Sequence, residues 1–155
     1  MNPKIIVAML VFVLFYNCGT KMPSNSENII KDRESYVSKL NQQPLETKIS
    51  EGALTDASGF KDVGKFKLTY YYKSDTKNLV RIENIETTSK VVTENFYFEN
   101  KDLLAISTKT DDAIAEKLYV YKGNVINNTD LDADYKKVLL DKSRLLRKDF
   151  RKITE

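Results

Sequence analysis

The side chains that could carry out chemistry in this sequence are few, because it has no histidine and only one cysteine, Cys18. Without histidine there is no Ser-His-Asp or Cys-His nucleophile, and one thiol cannot build a thiolate metal cluster. Chemistry would have to come from carboxylates, lysine, tyrosine or a hard cation bound by oxygen. We find no catalytic motif, predict no cofactor and no metal site, and therefore favour a role other than catalysis.

Two groups of carboxylates are candidates for chemistry. Glu83, Glu94 and Glu99 lie on two neighbouring predicted strands, where a pair could act as the two carboxylates of a glycosidase. The aspartates of residues 130–134 resemble the start of an EF-hand calcium loop, but Tyr135 occupies the position that requires glycine. We interpret these aspartates as the amino-terminal end of a helix, where carboxylates are favoured by the helix dipole.

Two surfaces are candidates for contact with a partner or a membrane. The first is the basic side of a predicted carboxy-terminal helix, which could lie on anionic lipid or an anionic envelope polymer. The second is a patch of outward-facing aromatic side chains on the strands, which could bind a protein or a glycan. The basic residues are Lys142, Arg144, Arg147, Lys148, Arg151 and Lys152, and the aromatic ones are Tyr71, Tyr97 and Tyr119.

The overall charge does not favour nucleic acid as a partner. The chain has 25 basic and 22 acidic residues, for a formal net charge of only +3. A nucleic-acid-binding domain usually carries a stronger basic excess on one face. We therefore predict no nucleic-acid partner.

The amino terminus has the pattern of a secretory signal peptide over residues 1–17. Lys4 supplies the positive charge, and residues 5–16 form an uninterrupted apolar run. This run is shorter than the roughly 20 residues of a membrane-spanning helix but suits the hydrophobic region of a signal peptide. An uncleaved anchor helix and an ordinary signal peptide are the alternatives.

The segment Leu-Phe-Tyr-Asn-Cys at residues 14–18, followed by Gly19, resembles the lipobox of bacterial lipoproteins in a relaxed form. Phe15 and Asn17 stand where the stricter form has leucine and a small residue. The resemblance implies that a diacylglyceryl group is attached to Cys18 and that signal peptidase II cleaves before it. Residues 18–26 would then be a lipidated tether, and residues 27–155 a single domain.

The rest of the sequence predicts an α+β fold. Residues 27–40 have the apolar spacing of a helix, which ends before Pro44, and a second amphipathic helix begins near Thr129 or Asp130. Between them, alternating apolar residues and short polar turns predict an antiparallel meander of about five to six strands. Residues 46–49 could add a short edge strand. We expect one or both helices to cover one face of this sheet, giving two layers.

These features together predict a cell-envelope lipoprotein. Its domain would be a binding or structural module held by acylated Cys18 on the periplasmic or outer surface of a membrane, the outer membrane being favoured over the inner. Its partners would be the bilayer itself and a protein or an anionic envelope polymer. The alternatives are a carboxylate-dependent hydrolase, which needs two close carboxylates in a cleft, and an inhibitor or immunity-type protein, which needs an exposed binding patch.

Overall fold

The structure is a computed structural model that describes residues 25–59 and 61–154. Within these ranges the helices are α1 (Ser26–Leu40) and α2 (Ala133–Thr154). The strands are β1 (Glu46–Thr55), β2 (Asp62–Tyr72), β3 (Leu79–Thr87), β4 (Val91–Glu99), β5 (Asp102–Thr110), β6 (Glu116–Tyr121) and β7 (Asn124–Val125). Cys18 and the predicted signal peptide lie outside the described residues.

The strands form one antiparallel meander in the order β1-β2-β3-β4-β5-β6-β7. This confirms the predicted α+β class, with seven strands in the described part of the chain rather than five or six. The short edge strand expected at residues 46–49 is a ten-residue strand, β1, paired along its length with β2. The sequence did not indicate the full length of β1, because most of its side chains are exposed and do not alternate between apolar and polar.

One face of the sheet packs against α2. Alternate side chains of a strand point to opposite faces, so Phe96 and Phe98 lie on one face and Tyr97 on the other. Phe96 and Phe98 share a buried cluster with Leu139 and Phe150 of α2. The ring of Phe150 lies 5.6 Å from the rings of both Tyr70 and Tyr72. Aromatic and aliphatic side chains of α2 and the sheet thus form the apolar core on this face.

The opposite face packs against α1. Leu40 of α1 shares a second buried cluster with Tyr97 and Tyr119 of the sheet. The hydroxyl of Tyr36 donates a hydrogen bond of 2.9 Å to the carbonyl oxygen of Phe98. The helices thus lie on opposite faces, and the expectation of a two-layer arrangement is wrong. Both faces of the central strands carry apolar residues, so each face requires a helix to cover it.

A bulge in β3 changes the face to which its side chains point. The pairing shifts between Tyr71 and Tyr72, so that Tyr71 faces Arg81 and Tyr72 faces Leu79. Val80 is the extra residue, and it packs with α1 while Ile82 packs with α2. Regular alternation puts two residues such as Val80 and Ile82 on one face of a strand, and the bulge places them on opposite faces instead.

Neither helix in the described ranges combines the length and the apolar composition that crossing a membrane requires.

Candidate functional site

Three turns at one end of the sheet each hold a lysine with a positive φ. They are the turns between β2 and β3, β4 and β5, and β6 and β7, which a meander places at the same end. Lys77, Lys101 and Lys122 have φ values of 54°, 77° and 50°. We call this end the basic end. The left-handed conformation is ordinarily taken by Gly or Asn, so turn sequence preference alone does not explain three lysines there.

The two helices add arginines beside these turns. Arg33 of α1 and Arg144 and Arg147 of α2 meet Lys101 and Lys122 around an open cleft of about 440 Å³. A guanidinium N–H of Arg147 donates a hydrogen bond to the carbonyl oxygen of Lys101, which connects α2 to the turn between β4 and β5. We call the open space bordered by these five cationic side chains the basic cleft.

The cations of the basic cleft are poorly neutralised. Among the described residues, Arg144 is the only one of the five that forms an ion pair, with Asp141. Asp102 is the single carboxylate that the described chain contributes to the wall of the cleft. Five cationic side chains thus line the cleft with one carboxylate, while Asp141 pairs with Arg144 and the charge of Glu99 acts on Arg33 from outside the lining. The cleft therefore concentrates positive potential at one place on the molecule.

Arg33 is half-buried, whereas Lys101, Lys122 and Arg144 are exposed. Its guanidinium lies 6.0 Å from the ring centre of Tyr121, and its buried Nε makes no hydrogen bond within the described chain. Burial lowers the pKa of Arg33, and the negative charges of Glu99, Asp102 and Asp32 offset only part of this effect. Arginine nevertheless stays protonated at neutral pH. A buried donor without an acceptor is costly to the folded state.

Lys142 does not belong to this basic surface, although the sequence grouped it with the basic residues of the helix. Its ammonium lies 2.8 Å from Oε1 of Glu86 and 2.7 Å from Oε2 of Glu94. Asn84 donates 2.9 Å hydrogen bonds to the same two carboxylate oxygens. We call these four residues the polar cluster. The prediction that Lys142 contacts lipid or a partner is therefore wrong, because Glu86 and Glu94 neutralise its ammonium between α2 and the sheet.

Two residues of the polar cluster, Lys142 and Glu86, have pKa values shifted from their ordinary ones. Burial acts to lower the pKa of Lys142, but the charge of Glu94 and hydrogen bonds to both glutamates leave that pKa above its ordinary value. Burial acts to raise the pKa of Glu86, but hydrogen bonds from Lys142 and Asn84 leave that pKa below its ordinary value. Both groups therefore stay charged at neutral pH, and the cluster connects α2 to β3 and β4.

The other basic residues of α2 named from the sequence, Lys148, Arg151 and Lys152, do not line the cleft. Arg151 borders a second, smaller hollow together with Lys77, and this hollow shares Lys101 and Arg147 with the basic cleft. Lys152 forms an exposed ion pair of 3.0 Å with Asp149. Lys148 is exposed.

The predicted exposed aromatic patch is wrong for two of its three residues. Tyr97 and Tyr119 are 8% and 7% exposed, because α1 covers them. The hydroxyl of Tyr119 donates a 2.7 Å hydrogen bond to Glu34 of α1. Tyr71 is half-buried, with the guanidinium of Arg81 3.8 Å from its ring centre. The sheet face that carries these tyrosines is a helix interface.

The candidate carboxylates do not form a glycosidase pair. Glu83 and Glu94 lie on opposite faces of the sheet, since Glu83 accepts a hydrogen bond from Tyr71 on the α1 side while Glu94 lies under α2. Glu99 is exposed at the end of β4. Asp132 caps α2 by accepting a 2.7 Å hydrogen bond from the backbone N–H of Tyr135, as the interpretation of residues 130–134 predicts. No group of three carboxylates suited to a metal ion occurs in the part of the chain described.

The sequence alone did not identify Arg33, Lys101 or Lys122 as site residues. They are separated along the chain and come together only because α1 and two turns meet at one end of the sheet. The one available signal was a lysine directly before a turn glycine, as in Lys122-Gly123. A single basic turn carries no functional meaning by itself.

Comparison with known protein families found no matching family model. Comparison with curated proteins and with solved structures likewise found no match.

Proposed function

We propose that this protein is a cell-envelope lipoprotein, anchored through acylated Cys18, whose domain binds an anionic group in the basic cleft. The anchor rests on the lipobox-like segment at residues 14–18. The binding function rests on one observation, the meeting of Arg33, Lys101, Lys122 and Arg147 around one open cleft without ion-pair partners in the described chain.

Physical chemistry favours an anion in such a cleft. Holding several like charges close together raises the free energy of the folded state, and a bound anion removes this repulsion. Arginine donates parallel hydrogen bonds that match the oxygens of phosphate and carboxylate groups. The half-buried position of Arg33 strengthens its interaction with an anion, because solvent screens the two charges less there.

Inorganic phosphate is the simplest probe of the cleft. We expect saturable binding of phosphate to the acylated full chain in neutral detergent, measured by calorimetry at constant ionic strength. Replacing Arg33 with Gln removes one charged donor and should weaken binding by about tenfold or more, because a hydrogen bond to a charged group contributes about 1.5–3 kcal/mol. Lys122→Gln, at an exposed turn, tests the cleft independently of the packing of Arg33.

The matched controls are Lys90→Gln and Lys109→Gln, which remove the same charge at the opposite end of the sheet. Both lysines are exposed, and we expect phosphate affinity to change less than about twofold, since charges beyond a Debye length are largely screened. Absence of saturable binding to the unmodified chain, or equal losses in the two sets of variants, would contradict the proposed binding site.

The anchor is tested separately by replacing Cys18 with Ser. In a bacterial host fed an alkyne analogue of palmitate, the unmodified chain should take up the label and lose residues 1–17, as read by intact mass. Cys18→Ser should do neither, because the acylated thiol is absent. Thr20→Ser, an equally small change two residues away, should behave like the unmodified chain. Labelling of Cys18→Ser would rule out the lipoprotein assignment.

A further inference from the structure

We infer that the anion held by the basic cleft is the phosphate of an anionic phospholipid headgroup, so that the basic end of the sheet docks on the bilayer that carries the acyl anchor. This inference rests on the proposed function and names the partner of the same site. It also orients the domain: the basic end faces the membrane, and the opposite end of the sheet faces away from it.

The basic surface is wider than a single phosphate needs. The basic cleft continues into the hollow bordered by Lys77 and Arg151, and the two share Lys101 and Arg147. Lys77 also pairs with Glu46 at 2.8 Å, so its charge is partly neutralised. A small soluble anion would be better held in an enclosed pocket. A row of headgroups matches cations spread along three turns and two helices, each contributing about 1 kcal/mol near an anionic surface.

The chain length between the anchor and the cleft allows this docking. Ser26, where α1 begins, follows Cys18 by eight residues, which span at most about 27 Å when fully extended. Arg33 lies seven residues further, about 10 Å along the helix. The guanidinium of Arg33 lies beside Tyr121, directly before the turn at Lys122. α1 therefore reaches the basic end within about two turns of its start.

The docking can be measured with one dye at either end of β3. Ser74 lies in the turn at the basic end and Ser89 in the turn at the opposite end, and both are exposed. The nine residues of β3 separate them by about 30 Å. Ser74→Cys and Ser89→Cys are near-isosteric changes outside the cleft. Each acylated chain is labelled with an environment-sensitive dye and reconstituted in vesicles that contain a brominated lipid as quencher.

We expect the dye at position 74 to be quenched in vesicles of phosphatidylcholine with about 30% phosphatidylglycerol, and not in phosphatidylcholine alone, because only the anionic surface attracts the basic end. The dye at position 89 should remain unquenched in both. Adding Arg144→Glu and Arg147→Glu to the Ser74→Cys chain should abolish the quenching. Adding Lys90→Glu and Lys109→Glu, an equal change of charge at the opposite end, should preserve it. Equal quenching at both positions, or none at position 74, would overturn the inference.

Two combinations of results distinguish a failure of the lipid inference from a failure of the proposed function. If phosphate binds in detergent but position 74 is not quenched, the cleft takes a soluble anion and only the lipid inference fails. If phosphate does not bind and no quenching occurs, the proposed binding function fails as well. The number of dyes per chain reports the anchor, because acylated Cys18 cannot react and a chain with two dyes has a free Cys18.

Discussion

Replacing Lys142 with Met should lower the free energy of unfolding by about 3–5 kcal/mol, the range typical of breaking a buried ion pair from one side. Met keeps much of the side-chain volume but removes the ammonium that lies between Glu86 and Glu94. Glu94 is 2% exposed, so its charge would be left in the interior with only the amide of Asn84 to stabilise it. Urea unfolding followed by circular dichroism measures the loss.

Arg144→Met is the matched control for this prediction. Arg144 lies on the same helix and also forms an ion pair, with Asp141, but both side chains are at least half exposed. Exposed pairs contribute at most about 1 kcal/mol, so the control should lose no more than that. Adding Glu94→Leu to Lys142→Met should restore much of the stability, because the unpaired buried charge is then gone. Equal losses for Lys142→Met and Arg144→Met would contradict the role given to the polar cluster.

The same cluster predicts how stability varies with pH. The pKa of Glu86 is lower in the folded protein, so its contribution is present above the ordinary value of 4.5 and is lost as the pH falls through the folded pKa. The pKa of Lys142 is raised, so its contribution is present below 10.5 and is lost as the pH rises through a folded pKa above that value. In Lys142→Met, the acid-side loss due to Glu86 should become smaller.

Replacing Phe150 with Ala should also cost about 3–5 kcal/mol, since Phe-to-Ala changes in a core remove apolar contact and leave a cavity. Phe150 is 5% exposed and packs between the rings of Tyr70 and Tyr72. It holds the last turns of α2 against β2, close to Arg147 at the cleft. We therefore expect weaker phosphate binding along with lower stability. Calorimetry measures the first and urea unfolding the second, on one preparation.

Leu145→Ala provides the comparison on the same helix. Leu145 is 63% exposed, so truncating it removes little buried surface, and stability should change by no more than about 0.5 kcal/mol. If Phe150→Ala and Leu145→Ala were equally stable, the packing of α2 on the sheet would not be as described.

The polar cluster also helps to hold the arginines of the basic cleft in place. A cleft that gathers five cations opposes its own assembly, and α2 brings two of them, Arg144 and Arg147. The apolar contacts of Leu139 and Phe150 and the ion pairs of Lys142 hold α2 against the sheet. They thereby keep those arginines beside the turns at the basic end without help from a bound anion.

Local patterns determined the main elements of this protein. Apolar spacing predicted both helices, and alternation with turn residues predicted most strands, because these periods follow from backbone geometry within a few residues. Composition also limited the chemistry, because a chain without histidine cannot build catalytic or metal sites that depend on histidine, whatever its fold. The fate of Cys18 as an acylated anchor stays a prediction of the sequence.

The tertiary structure alone decided which side chains face solvent and which meet. Lys142 and Arg144 are both cationic and lie two residues apart on α2. That spacing is a rotation of about 200° around the helix. The side chain of Lys142 therefore points toward the sheet and pairs with Glu94, whereas Arg144 lines the cleft. Tyr97 and Tyr119 point away from the α2 face, and only the position of α1 buries them. The basic cleft joins residues from position 33 to position 147. No local pattern records such a meeting, because it depends on how whole elements pack.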